Sequence, residues 1–201
     1  MILKVCGITT LDDALLSIEA GANALGFNFY PPSPRYVTPE AAAAIVKALP
    51  ADVLRVGVFV NESSERVLST VRECGLDIAQ LHGDESPADA PAGVRVWKAY
   101  RVGPDFDLSV LDAFPAEAFL LDAGSGALYG GSGHTFDWTR ATGAHHKIIV
   151  AGGLGPDNVA EAIRVLKPWG IDACSRLESA PGRKDPQKVA AFLDAAQSVS
   201  V

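Results

Sequence analysis

The sequence predicts a single (β/α)8 TIM barrel of minimal size, in the α/β class, from three observations. Short apolar segments alternate with Ala-rich helical stretches through the whole chain. That order demands a parallel sheet with crossover helices, and eight such units can close into a barrel. The chain has 201 residues and is 48% hydrophobic, enough to bury a sizeable core. No linker divides it, so residues 1–201 read as one domain.

The strands are expected at Ile2–Cys6, Ala24–Phe27, Leu54–Val60, Ile78–Leu81, Arg95–Ala99, Ala118–Asp122, Lys147–Ala151 and Gly170–Ala173. Helices are expected after them at Asp12–Ala20, Pro39–Ala48, Ser63–Glu73, near Pro87–Ala90, Leu108–Phe114, near Trp138–Thr142, Asn158–Leu166 and Pro186–Ala196. Thr10 before Leu11-Asp12-Asp13 is a polar cap with acids in the first turn. Thr38-Pro39-Glu40 puts proline at the first helical position. Asn61-Glu62-Ser63 marks another helix entry. The longest irregular stretch, Gly124 to Thr135, reads GSGALYGGSGHT. It follows the sixth strand at the end where barrel active sites lie, and so reads as a lid rather than a linker.

Bulk chemistry narrows the function. With 17 basic and 24 acidic residues the formal charge is −7, which argues against a nucleic-acid partner. No apolar run approaches the roughly 20 residues needed to cross a bilayer, and no membrane partner is expected. The N-terminus shows no signal-peptide pattern, and the 3 cysteines have neither metal nor CxxC spacing. A cytoplasmic protein with free thiols and no metal is the expectation.

Several residues carry chemistry. Cys6 ends the first strand, and alternation puts it on one face with Ile2 and Lys4. If that face is the barrel interior, Lys4 lies one layer below and lowers the thiol pKa. The plain alternative is a buried cysteine acting as a small hydrophobe. Asp122 closes the apolar strand Ala118-Phe119-Leu120-Leu121. A carboxyl in a partly dry mouth holds its proton nearer neutral pH, which suits a general acid; capping the next loop is the alternative. Gly152 and Gly153, in Ala151-Gly152-Gly153-Leu154-Gly155, precede a helix and suit a phosphate. Arg35 stands in the stiff segment Pro31-Pro32-Ser33-Pro34-Arg35 and could grip a carboxylate with its planar fork. His82, in Gln80-Leu81-His82-Gly83, could touch substrate or bond within the rim.

Taken in order, these segments resemble the phosphoribosylanthranilate isomerase family over nearly the whole chain. The matching text is Lys4-Val5-Cys6-Gly7-Ile8-Thr9, Gly26-Phe27-Asn28-Phe29, Ser33-Pro34-Arg35-Tyr36-Val37, Val56-Gly57-Val58-Phe59-Val60-Asn61, Gln80-Leu81-His82-Gly83 and Leu121-Asp122. It continues with Gly130-Gly131-Ser132-Gly133, Phe136-Asp137-Trp138, Ala151-Gly152-Gly153-Leu154, Asn158-Val159 and Glu178 to Asp185. The resemblance implies a closed barrel and an Amadori rearrangement of N-(5′-phosphoribosyl)anthranilate in tryptophan biosynthesis. It implies Cys6 as general base, Asp122 as general acid and Arg35 on the anthranilate carboxylate. It implies a small phosphorylated substrate, no cofactor and a monomer or homodimer. One departure stands out. Where the family reads Asp-Val-Ser-Ser-Gly-Val-Glu, this chain reads Asp172-Ala173-Cys174-Ser175-Arg176-Leu177-Glu178. Ser175 and Arg176 are then expected at the phosphate. Arg176 either contacts it or crowds it, since glycine reaches backbone shapes that arginine resists. A weakened or substrate-shifted phosphate-binding barrel is therefore the alternative function. A metal-dependent sugar-phosphate epimerase is a third reading, and the sequence shows no suitable histidines for it.

Overall fold

The computed structural model describes residues 1–123 and 137–199; the lid expected at residues 124–135 lies outside the described residues. Eight parallel strands close a barrel in sequence order: β1 (Ile2–Cys6), β2 (Ala24–Asn28), β3 (Leu54–Phe59), β4 (Ile78–Leu81), β5 (Arg95–Arg101), β6 (Ala118–Asp122), β7 (Ile148–Val150) and β8 (Gly170–Ala173). Closure is made by β1 pairing with β8, with Lys4 beside Asp172 and Val5 beside Ala173.

Strand alternation separates two cores. Ala24, Val56, Ile78, Trp97, Ala118, Leu120 and Ile149 fill the barrel interior. The other face of the strands packs on the helices through residues such as Val5, Leu25, Phe59, Phe119, Val150 and Ile171. Near the N-terminal ends of the strands Trp97 meets Trp169 edge-on, with ring centroids 5.8 Å apart. Towards the C-terminal ends the inward positions turn polar, and this change defines the mouth.

Among the described residues the outer layer holds five α-helices: α1 (Leu11–Glu19), α2 (Pro39–Lys47), α3 (Ser64–Cys74), α4 (Val159–Leu166) and α5 (Pro186–Gln197). Four of the five starts are side-chain capped, that of α4 being the exception. Thr10 accepts from Asp13 N, Thr38 from Ala41 N, Ser63 from Arg66 N and Asp185 from both Gln187 N and Lys188 N. Such a cap is worth about 1 kcal/mol. Helix α3 stops at Gly75, which takes the left-handed conformation with φ +67°.

Three expected α-helices are instead short 3₁₀ turns, at Pro87–Asp89, Leu108–Ala113 and Trp138–Ala141. Each turns at most one residue fully into the core. Leu111 and Ala141 are the fully buried residues of the latter two, and the first has none. A small antiparallel pair, β9 (Glu178–Ala180) with β10 (Arg183–Lys184), follows β8 and was not expected. It carries Glu178 and Lys184 back beneath the mouth.

Candidate active site

Every residue singled out in the sequence lies at the C-terminal rim of the barrel or on the segments that follow it. Cys6 ends β1 and is 9% exposed, while Asp122 ends β6 and is 4% exposed. Asp122, Gly152, Gly153 and Ser175 line one cleft together with Asp172 and Cys174. Cys6 adjoins that group, because it follows Val5, the register partner of Ala173 on the neighbouring strand.

The thiol side is densely charged. Lys4 is fully buried and donates to Asp172 Oδ1 at 2.9 Å. Burial alone would strip its proton, but Asp172, and then Cys6, hold it charged and raise its pKa. The Cys6 pKa is lowered to about 7, chiefly by the neighbouring Cys174 thiol and, against the effect of burial, by the Lys4 charge. Gly26 on β2 faces Cys6 in register. A Cβ at Gly26 would stand 2.6 Å from Cys6 Sγ and 3.0 Å from Lys4 Nζ, so only glycine leaves room for both.

Arg35 comes to the same side. A Cβ on Gly7 would lie 2.8 Å from Cys174 Sγ and 3.1 Å from Arg35 Cγ. The Arg35 fork is held by Glu178, with Nη2 donating to Oε2 at 2.7 Å and Nε donating to Oε1 at 3.2 Å. Lys184 binds the same carboxylate at 3.3 Å. Burial would raise the Glu178 pKa, but the hydrogen bond from Arg35 and the charge of Lys184 carry it below the ordinary range. The carboxylate-gripping fork expected from the sequence is thus already oriented by a carboxylate of the protein.

On the carboxyl side, His82 Nε2 is 3.7 Å from Asp122 Oδ2. Gln80 Nε2 lies 3.1 Å from His82 Nδ1. An amide nitrogen only donates, so Nδ1 accepts and the ring proton sits on Nε2, towards Asp122. Burial lowers the His82 pKa and favours the neutral ring. Gly152 has φ +79° and its Cβ would fall 2.7 Å from Asp122 Oδ1 and 2.5 Å from Ala123 N. The glycine read as a phosphate cradle also clears space for the acid.

The loop after β7 is fastened from both ends. Asn158 accepts from Gly155 N at 2.8 Å and donates to Gly153 O at 2.9 Å. Arg176 Nη1 donates to Gly153 O at 2.9 Å, and Nη2 pairs with Asp157 at 2.7 Å. Among the described residues the non-glycines with positive φ are Asn61 and Lys167. Arg176 therefore takes an ordinary backbone conformation, and the strain expected of an arginine at a glycine position does not arise. Sequence reasoning overlooked Asp172, Glu178, Lys184 and Gln80 as parts of the site. The available signal was polar residues on inward strand positions, as with Lys4 beside Asp172; Glu178 and Lys184 gave none, because they lie on the unexpected β9–β10 pair.

Comparison with known proteins bears on the family and the fold. The family profile described as N-(5'phosphoribosyl)anthranilate (PRA) isomerase matches residues 3–195. The N-(5'-phosphoribosyl)anthranilate isomerase of Solibacter usitatus is 60% identical over 198 residues, covering 98% of each chain. The crystal structure of phosphoribosyl anthranilate isomerase from Thermus thermophilus has a TM-score of 0.91 at 40% identity, covering 98% of this chain and 99% of that one. A structure of the isomerase in complex with reduced 1-(o-carboxyphenylamino)-1-deoxyribulose 5-phosphate has a TM-score of 0.86 at 38% identity, covering 99% of this chain and all of that one (100%). The chain belongs to the N-(5'-phosphoribosyl)anthranilate isomerase family and is an isomerase.

Proposed function

We propose that Cys6 and Asp122 are the base and acid of this isomerase, acting on one phosphorylated sugar held between them. The activity is isomerisation of N-(5′-phosphoribosyl)anthranilate in tryptophan biosynthesis. Asp122 gives its proton to the ribose ring oxygen, the C1′–O bond breaks, and the anthranilate nitrogen forms an imine with C1′. The Cys6 thiolate then removes the C2′ proton. The resulting enolamine takes up a proton at C1′ and relaxes to the ketone, 1-(2-carboxyphenylamino)-1-deoxyribulose 5-phosphate. Acid and base catalysis of this kind supplies about 10²–10⁴-fold each.

The observation that carries this reading is the pairing of unlike environments at one rim. A thiol with a pKa lowered to about 7 is ready to accept a proton, and a buried carboxyl lines the cleft shared with Gly152, Gly153 and Ser175. The phosphate is assigned to Gly152, Gly153, Ser175 and the Arg176 guanidinium, where backbone N–H groups and a cation favour an anion. The substrate carboxylate is assigned to Arg35, and contact with the sugar to His82. The complex bound by the 38% identical relative supports a ligand of this size and charge. All of these residues come from one chain, so a monomer or a homodimer suffices. The weakened-barrel alternative is not favoured, since Cys6, Asp122 and the family match stand together.

The test is the disappearance of phosphoribosylanthranilate fluorescence with wild type, Cys6→Ser and Asp122→Asn. Loss in both variants is expected. A variant as fast as wild type removes that residue from its role.

A further inference from the structure

Cys174 stands where the family pattern reads serine, and nothing in the proposed reaction uses it. Its place in the barrel gives it a chemistry of its own. Lys4 and Asp172 are register partners on β1 and β8, and their side chains meet inside the barrel at 2.9 Å. Val5 and Ala173, the next pair, turn outward into the helical layer. Alternation then turns Cys6 and Cys174 inward together, at the mouth. Neighbouring strands run about 4.8 Å apart, inside the range of roughly 4.4–6.8 Å between α-carbons that a disulfide spans. Glycines keep the space around the two sulfurs open. A Cβ at Gly26 would stand 2.6 Å from Cys6 Sγ, and one at Gly7 would stand 2.8 Å from Cys174 Sγ.

We propose that Cys6 and Cys174 form a dithiol that a hydroperoxide closes to a disulfide, a reversible oxidation site set at the mouth of the barrel. Its effect on activity rests on the reading of Cys6 as the base; the bond itself does not.

The two sulfurs are unequal. Cys6 has a pKa of about 7 and so holds thiolate at neutral pH, the form that attacks a peroxide. Cys174 keeps its proton, which it donates to Glu178 Oε1 at 3.8 Å. Cys174 is half-buried and lines the cleft with Asp122 and Gly152, so a small oxidant enters where the sugar is proposed to bind. The Cys6 thiolate attacks one peroxide oxygen. An S–O bond forms, the O–O bond breaks, and the departing hydroxide takes a proton from solvent to leave as water. The Cys174 sulfur then attacks the sulfenic sulfur of Cys6. An S–S bond forms, the S–O bond breaks, and the second hydroxide leaves as water with the Cys174 proton. Each sulfur has lost one electron and the peroxide has gained both. Cys74 takes no part, because it is buried in the helical layer with its thiol donating to Pro39 O at 3.3 Å, and burial pushes its pKa up to about 11.

The test treats the reduced full chain with excess hydrogen peroxide at neutral pH, for wild type and Cys174→Ser. Peptides are mapped by mass spectrometry without reduction, and isomerase activity is followed before and after dithiothreitol. Wild type should yield a linked Cys6–Cys174 peptide, lose activity by about 10²-fold or more and recover with dithiothreitol. Cys174→Ser has no second thiol beside Cys6, so Cys6 should pass on to the sulfinic acid and activity should not return. A wild type without the linked peptide overturns the proposal. So does linkage of Cys6 to Cys74, or as much Cys6 sulfinic acid in wild type as in Cys174→Ser. A linked peptide in a protein of unchanged activity supports the disulfide and removes Cys6 from its role as base, so the two readings fail separately.

Discussion

On the thiol flank of the mouth, formed by β8, β1 and β2, the cations Lys4, Arg35 and Lys184 share space with the carboxylates of Asp172 and Glu178. A thiolate on Cys6 completes the balance of that cluster. On the carboxyl flank, formed by β4 to β7, the nearest ion pair is closed on itself. Lys98 binds Glu85 at 2.7 Å, and Glu85 also accepts from Gly83 N and Asn61 N, which fixes the loop after β4. His82 stands beside Asp122 as a neutral ring. The thiol thus sits among fixed charges and against the Cys174 thiol, whereas the carboxyl is hemmed in by the His82 ring and the Gly152 backbone. Both flanks spend a glycine on clearance, Gly26 for Cys6 and Gly152 for Asp122.

The largest effects should come from the reacting groups themselves. Cys6→Ser and Asp122→Asn should each lower kcat by about 10²–10⁴-fold, measured by substrate fluorescence. A rate near wild type for one of them breaks the comparison on that flank. The clearance glycines come next. Gly26→Ala should displace the Cys6 sulfur, and Gly152→Ala should push the Asp122 carboxyl and strain a backbone at φ +79°. A shift of about 1 Å can cost on the order of 10²-fold in kcat. If the flanks differ as described, Gly26→Ala alone also moves the acid limb of the pH–rate profile, because it disturbs the contact between Cys6 and Lys4. Equal movement in both variants would erase the distinction.

How much of this was legible in the sequence follows from how each feature is encoded. The eight strands are local patterns of apolar residues, and period-two alternation put Lys4 and Cys6 on one face, which barrel closure makes the interior, while Asp122 was legible only as an acid ending an apolar strand. The glycine segment Ala151 to Gly155 was also readable, because its chemistry lies in consecutive residues. Three helices were misjudged because a 3₁₀ turn such as Leu108–Ala113 shares polar caps with an α-helix and differs only in what the barrel leaves for it to cover. The Glu178 clamp was invisible for another reason. Its partners Arg35 and Lys184 are brought to it by tertiary closure and by a two-stranded ribbon with no strong strand pattern.

That clamp offers an intermediate test of the thiol flank. Glu178→Gln should free the Arg35 fork and raise KM by about tenfold with a smaller change in kcat. It should also destabilise the fold by about 3 kcal/mol at neutral pH, since the buried Lys184 and the half-buried Arg35 lose their counter-charge. The pH dependence follows in sign. The folded-state pKa of Glu178 lies below its ordinary value of 4.5, so its stabilisation is full above that value and is lost as pH falls through the lower folded value. Urea midpoints measured from neutral to acid pH should therefore converge for wild type and Glu178→Gln in acid. Parallel curves would show that the charge of Glu178 is not what holds the flank.

Arg176→Gly should have the smallest effect, and its reason lies at the boundary between the flanks. The guanidinium is already committed to Gly153 O and Asp157, so it steadies the loop after β7 and adds charge near the phosphate assigned there. Its removal leaves Asn158 still bridging Gly153 and Gly155, and touches neither Cys6 nor Asp122. The expected outcome is a KM raised by a few-fold, on the scale of roughly 1 kcal/mol for a partly exposed ion pair, with kcat unchanged. Raising the salt concentration should shrink the difference between the two proteins, because exposed charges are screened. A fall in kcat as large as that of Gly152→Ala would instead mean that this arginine aligns the acid, and the carboxyl flank would then depend on fixed charge as much as the thiol flank does.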